Sequence, residues 1–247
     1  MPERFNEMGY WEIITRQMSI VTKSKQEKFK NSKIAVIGCG GIGGAAIEML
    51  ARMGVGELNI VDSDSFDMSN LNRQVMSSID TLNLSKSEVT KEKIRLINPY
   101  VKVNAFTEEV NENNIEKIVK DCDVVIDALD NILTRIIISR YAYKNKIPFI
   151  HGAIHGTMGQ LTTFTDETIS YEELFSLNSF NKELNSEIRK EIENISTDLP
   201  PVIGPVPNII GCLEAMETFK LITGVGEVTL APKILKFDLL YLELFNI

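Results

Sequence analysis

A short β-branched run, Lys33-Ile-Ala-Val-Ile, ends in Gly38-Cys-Gly40-Gly41-Ile-Gly43 and passes directly into an Ala- and Met-rich stretch over 45–53. The first stretch predicts a buried parallel strand, and the second a helix. The glycines between them let the backbone turn tightly and approach another group closely. A helix N-terminus at that point offers free N–H groups and the positive end of the helix dipole. Asp62 closes the next apolar run, 57–62. A carboxylate there can accept hydrogen bonds from ribose hydroxyls. This order of elements predicts a nucleotide site, while the glycine pattern alone leaves NAD and ATP both open.

The alternation continues. Strands are predicted at 101–106, 123–127, from 148 onward and at 159–165, with helices at 85–97, 111–120, 131–145 and 206–223. Asn98-Pro99 stops the first of these helices. The fold class is therefore α/β: a Rossmann-like, doubly wound, mostly parallel sheet with helices on both faces. One or two closing strands within 234–245 give it an antiparallel C-terminal extension. The chain reads as a single ATP-binding unit over 1–247. Within it lie a helical lead-in (1–31), a nucleotide-binding core (32–165), a crossover segment (166–200) and a C-terminal helix with strands (201–247). The lead-in places Phe5, Met8, Trp11, Ile14 and Met18 at helical spacing. The crossover is polar, rich in Glu, Asn and Ser, and is expected to be partly helical and mobile.

Composition excludes several classes. The net charge is −8 and no dense Lys/Arg run occurs, so nucleic acid is not an expected partner. No apolar run approaches the roughly 18 residues of a membrane span. Glu3, Glu7 and Glu12 at the start do not fit a signal peptide, and a cytoplasmic protein is expected. Three widely spaced cysteines, Cys39, Cys122 and Cys212, form no CxxC pair, so neither a disulfide framework nor a four-cysteine zinc site is expected. Cys39 and Cys212 are read as small buried fillers.

Cations and acids follow the predicted strand ends, where open α/β sheets bind ligands. Asp62-Ser-Asp64 leads to Ser69-Asn70-Leu-Asn72-Arg73-Gln74, then to Lys86, and Asp130-Asn131 follows the fourth strand. A reacting triphosphate needs several cations and a place for Mg²⁺. Arg73 and Lys86 can supply the first and Asp130 the second.

With these residues the sequence resembles the ubiquitin-activating-like adenylyltransferases, which include the molybdopterin-synthase and thiamine sulfur-carrier activators. Thr15-Arg16-Gln17, Gly54-Val-Gly56, Ile97-Asn98-Pro99, Gly152-Ala153, Gly159-Gln160 and the stretch 211–221 carry the resemblance further. It implies ATP-dependent adenylylation of a carboxylate. Gly38, Gly40, Gly41 and Gly43 would contact phosphates, and Asp62, with Asp64 nearby, the ribose side. Ser69, Asn70, Asn72, Arg73 and Gln74 would line the triphosphate. Lys86 would neutralise it, and Asp130, followed by Asn131, would position Mg²⁺. Arg16 would reach the site of a partner subunit, which implies a homodimer.

The sequence also departs from that family. Neither CxxC zinc pair of many relatives is present, and 166–200 contains no cysteine to accept an acyl group. Zinc is not expected, and the acyl group would pass to a thiol on another protein. His151 precedes Gly152-Ala153 where a small residue is expected, and His155 follows. Both are candidate substrate contacts, with a strand-end hydrogen bond the plainer role for His151. The short, zinc-free, thiol-free form resembles the methanogen enzyme of iron–guanylylpyridinol cofactor assembly, so a pyridinol carboxylate is the preferred substrate. The C-terminal Gly-Gly of a ubiquitin-like sulfur carrier, a non-catalytic nucleotide-binding scaffold and an NAD-dependent oxidoreductase are the alternatives.

Overall fold

The computed structural model describes residues 7–195 and 201–246. The lead-in divides into helix α1 (Glu7–Ile13), a 3-10 turn (Thr15–Gln17) and α2 (Lys23–Lys30). The core follows as β1 (Lys33–Ile37), α3 (Gly41–Arg52), β2 (Glu57–Val61), α4 (Lys86–Ile97), β3 (Lys102–Phe106), α5 (Ile115–Val119), β4 (Val124–Asp127), α6 (Ile132–Lys144), β5 (Phe149–His155) and β6 (Met158–Phe164). The crossover holds α7 (Tyr171–Leu174) and α8 (Ser186–Glu193); α9 (Pro205–Thr223), β7 (Leu235–Asp238) and β8 (Glu243–Asn246) complete the chain. Phe5 and the Met8 side chain lie outside the described residues.

One eight-stranded sheet runs in the order β3-β2-β1-β4-β5-β6-β7-β8. The first five strands are parallel, and β6, β7 and β8 join antiparallel, as expected for this fold class. Alternation along each strand sorts the core into two layers. Ile34, Val36, Leu58, Ile60, Val124, Ile126 and Ile150 pack on the face covered by α3, α4 and α9. Ala35, Ile37, Val125 and Phe149 pack on the other, with Ile118 of α5, Ile136 and Ile138 of α6, Tyr171 of α7 and Ile188 of α8. Each fully buried aliphatic side chain contributes on the order of 1.5–3 kcal/mol to that packing.

α9 lies beside α3 at unusually short range. A Cβ on Gly211 would stand 2.2 Å from the Ile42 carbonyl oxygen, so only glycine lets the two helix backbones meet. Pro205 begins α9, where its missing N–H costs nothing, and Gly224 ends it with φ 62°. Asn98 bonds the Ala51 carbonyl at 2.7 Å and ties the end of α4 to the end of α3.

Two expectations change. The helix expected over 111–120 shrinks to α5, because Asn111 and Asn114 form a side-chain-bonded turn first: Asn114 Oδ1 accepts from Asn111 N–H at 2.8 Å. The crossover, expected to be mobile, is fastened over its described part. Arg140 grips Glu172 through two 2.7 Å hydrogen bonds and the Ser179 carbonyl at 2.8 Å. Arg189 pairs with Glu112, and Ile188 and Ile192 are buried. Polar composition hid these anchors because the partners lie far away in sequence.

Candidate active site

The glycine turn is shaped by close packing. Gly38 has φ 104°, and its Cβ would lie 2.5 Å from the Ala128 carbonyl oxygen. A Cβ on Gly43 would stand 1.8 Å from the Gly38 carbonyl oxygen, which only glycine avoids. Gly40 and Gly41 face outward toward Gln74 and Pro207. The N-termini of α3 and α9 therefore converge on one place, and helices of 12 and 19 residues both direct positive dipole ends there. The contribution of α9 was missed in the sequence, because nothing local in 201–208 signals which strand end it meets.

The segment after β2 wraps this point. Asp62 Oδ2 accepts from Cys39 N–H at 2.7 Å and Oδ1 from Asp64 N–H at 2.9 Å, so the acid braces the glycine turn and keeps lone pairs free. Burial raises its pKa, against the pull of those two N–H groups and Lys86. Lys86, buried at the first position of α4, reaches Asp64 Oδ2 at 2.8 Å. Arg73 is held through Nη1 by the Ser69 carbonyl at 2.7 Å and Asn72 Oδ1 at 2.9 Å, leaving its other donors free among the described residues. Asn208 of α9, another residue not foreseen, donates to the Arg73 carbonyl at 3.0 Å and the Gly204 carbonyl at 2.6 Å. Gln74 is buried beside Gly40, and its Oε1 has no hydrogen-bond partner among the described residues.

Other expected contacts serve local structure. Asn70 is buried with its Oδ1 accepting from Asp67 N–H at 3.2 Å, and Ser69 Oγ donates to Asp67 at 2.6 Å, so both hold the 3-10 turn Met68–Asn70 to its cap, Asp67. Asn131 Oδ1 caps α6 by accepting from Thr134 N–H at 2.9 Å. Asp130 is exposed beside it. Arg16 lies at the far end of α3, where neighbouring Gln17 bonds the Met53 carbonyl at 2.9 Å. The 12 residues of α3 put about 18 Å between that end and the glycine turn. The structure thus brings together the glycines, Asp62, Asp64, Arg73, Gln74 and Lys86 and leaves Arg16 apart.

Of its two expected roles His151 takes the plainer one. His151 is 1% exposed and faces the crossover side of the sheet, not an open cleft. Its Nδ1–H donates to Asp127 Oδ2 at 2.6 Å, since an ionised carboxylate can only accept. The cause is register: Asp127 and His151 are paired neighbours on β4 and β5, so both side chains leave the same face. Burial lowers the His151 pKa and outweighs the raising effect of Asp127, so the ring is neutral at pH 7. His155 is exposed near the tip of the β5–β6 hairpin, paired with Met158.

Asp127 anchors a cluster that sequence reasoning missed. Arg135 Nε lies 3.1 Å from its Oδ2, and Leu129 N–H donates to its Oδ1 at 3.1 Å. Burial raises the Asp127 pKa, but Arg135 and His151 outweigh it and hold the carboxyl below its ordinary value. Arg135 also donates to the Leu129 carbonyl and meets the Tyr171 hydroxyl. On the opposite face, Glu214 of α9 is fully buried and neither carboxyl oxygen has a hydrogen bond of normal geometry. Burial and the Asp127 charge raise its pKa well above the carboxylate range, so it is a neutral acid. The signals for this cluster were the Asp127–Arg135 spacing and an acid inside an apolar helix pattern.

Cysteine chemistry is limited. Cys39 is buried, and burial together with Asp62 raises its pKa well above the ordinary range. Cys212, read as a core filler, is exposed instead: α9 is apolar on nearly all sides, so periodicity did not show which face met solvent. Among the described residues no helix is long and apolar enough to cross a membrane.

A parallel α/β sheet with a glycine turn, two convergent helix N-termini and paired cations defines a nucleotide-binding protein. The chain belongs to the ThiF family, whose model matches residues 14–247. It is 34% identical over 221 residues to the SAMP-activating enzyme E1 of Haloferax volcanii, covering 90% of this chain and 78% of that one. It is 32% identical over 238 residues to the molybdopterin-synthase adenylyltransferase of Haemophilus influenzae, covering 94% and 93%. A sulfur carrier protein adenylyltransferase of Thermus thermophilus is 29% identical over 91% of this chain and 82% of its own. The fold matches crystal structures of PaaA (TM-score 0.80, 23% identity, 100% and 85% covered) and of E. coli MccB with ATP (TM-score 0.76, 24% identity, 90% and 64% covered). The chain is an adenylyltransferase enzyme that uses ATP.

Proposed function

We propose that the chain transfers the adenylyl group of ATP to the C-terminal carboxylate of a ubiquitin-like carrier protein. Support for the chemistry comes from one observation above the rest: Arg73, Lys86 and two helix N-termini meet at the glycine turn beside Asp62. Support for the carrier comes from the relatives, among them a sulfur carrier protein adenylyltransferase. A carboxylate oxygen attacks the α-phosphorus, the bond to the bridging oxygen breaks, and acyl adenylate and pyrophosphate form. The nucleophile is already ionised at neutral pH, so no base is required. The barrier is the approach of two anions, and Arg73 and Lys86 reduce it. Lys86 would exchange its Asp64 partner for phosphate oxygen.

Asp130 is the residue that would hold magnesium. A single exposed carboxylate fits an ion that keeps several waters and takes its remaining ligands from phosphates. Among the described residues no group of three or more His, Cys, Asp or Glu forms an all-protein cage. When bound, the ion supplies charge neutralisation across phosphate oxygens. The position of Arg16 supports a contribution in trans within a homodimer, since its own glycine turn is out of reach. A thiol on another protein would accept the acyl group, because 166–200 contains no cysteine.

That same lack of a cysteine in 166–200, with the lack of any CxxC pair, favours the second reading, a small pyridinol carboxylate. Pyrophosphate release from Mg-ATP separates the two. Turnover with a carrier ending in Gly-Gly, abolished by Arg73→Ala, is expected. Turnover with only a pyridinol acid would replace the carrier, and ATP binding without release for either would favour a scaffold.

A further inference from the structure

His151 ends a chain of contacts that leads to the nucleotide site. Its Nδ1–H takes Asp127 Oδ2 at 2.6 Å. The other oxygen, Oδ1, accepts from the Leu129 N–H at 3.1 Å, and Arg135 bonds both the carboxylate and the Leu129 carbonyl. The Leu129 residue is thereby held at both its N–H and its C=O, and the next residue is Asp130. The imidazole is itself fixed from the crossover side, edge-on to Tyr171 at 5.1 Å and to Phe175 at 5.3 Å between ring centroids. We infer that His151 is a positioning residue: through Asp127 and Arg135 it sets the turn that presents Asp130. The inference rests on the adenylylation reading, in which Asp130 faces the magnesium–nucleotide.

The physical argument is orientation. Rotation of a carboxylate about its last bond is soft, and its donors set the angle at which the oxygens are presented. Arg135 lies within reach of either oxygen, at 3.3 Å from Oδ1 and 3.1 Å from Oδ2, so it discriminates weakly between them. The short His151 bond belongs to Oδ2 alone. With it in place Oδ1 is presented to Leu129. Without it Oδ2 is a buried anionic oxygen lacking its closest donor, and the carboxylate is free to turn toward other partners at the expense of the Leu129 N–H. An apolar ring at 151 would fill the same space between Tyr171 and Phe175 but would not direct the carboxylate.

The test is calorimetric titration of ATP into the full chain, with Mg²⁺ and with EDTA. The quantity read is the gain in ATP affinity that magnesium gives. In H151L that gain is expected to fall about tenfold while affinity in EDTA stays within about twofold of wild type. H151N, whose amide nitrogen stands near the position of Nδ1, is expected to recover most of it. Should H151L fail to fold, Phe175→Leu, which loosens the ring without removing the donor, must show the same selective loss. An unchanged magnesium gain in folded H151L overturns the inference, as does an equal loss with and without magnesium. A wild-type chain that binds ATP no better with magnesium removes the assignment of Asp130 to a magnesium–nucleotide; a normal wild-type gain with indifferent variants removes only the role of His151.

Discussion

Lys86 and Asp127 are both buried charges at the C-terminal edge of the sheet, yet they are held in opposite ways. Lys86 is paired with Asp64, whose side chain is 67% exposed, so water shares the interaction. Asp127 is 0% exposed and enclosed by Arg135, His151 and Leu129. A half-wet pair is worth little to stability and is easily exchanged for a ligand. A dry, multiply bonded charge is costly to unpair and keeps its geometry. The first arrangement suits a group that meets phosphate, and the second suits a group that shapes a turn.

The sharpest break in this comparison is expected from Asp127→Ala. It leaves Arg135 buried without its countercharge and should destabilise the fold by about 3–5 kcal/mol, read by urea denaturation. A loss below about 1 kcal/mol would mean that the cluster is wetter than its burial indicates. Arg73→Ala on the exposed side should do the reverse. Pyrophosphate release should fall on the order of 10²-fold with stability nearly unchanged; a mutant that unfolds instead would put Arg73 among the structural residues.

Gly152→Ala tests the sheet face opposite His151. The new methyl would meet Ile210 Cγ2 at 2.4 Å and Glu214 Oε1 at 2.5 Å, so a cost of about 1–3 kcal/mol is expected in the same denaturation assay. Glu214 gives a pH signature, with no effect at low pH. Its pKa is raised in the folded chain, so the folded state holds a proton that the unfolded state gives up above the ordinary carboxylate pKa. The stability it contributes is complete at low pH and is lost as pH rises toward the folded value. Glu214→Gln removes that dependence. Its Tm advantage should be near zero at pH 4 and grow with pH, by about 1.4 kcal/mol for each pH unit between the ordinary carboxylate value and the folded one; a flat difference would show that Glu214 is ionised in the folded chain.

Much of the nucleotide side was legible because its signals are local. Gly38, Gly40 and Gly43 sit within six residues, and backbone sterics alone give that spacing its meaning. The strand–helix alternation gave a mostly parallel sheet without any knowledge of contacts, while the order of its strands came from the structure. Other readings stayed open or failed where a local pattern had two outcomes. His151 was left between a substrate contact and a strand-end hydrogen bond because a polar residue at a strand end faces either a site or a neighbour, and the β4–β5 register chose the neighbour. Cys212 was assigned to the core because α9 is apolar on nearly every side. The crossover was read as mobile because Arg140 and Glu172 are ordinary surface residues until they meet.

The sequence by itself determined the element order, the parallel sheet, the glycine turn and the cations available to a nucleotide. These follow from propensity, periodicity and close-packed backbone, all of which act over a few residues. Only the tertiary structure decided that α9 adds a second helix N-terminus, that Arg16 lies by the end of α3 away from its own glycine turn, and that Asp127, Arg135, His151 and Tyr171 share one buried cluster. Those outcomes depend on which strand lies beside which and on which face each side chain leaves. Burial then fixes the charges, because a carboxylate or imidazole withdrawn from water takes the protonation state its few neighbours allow.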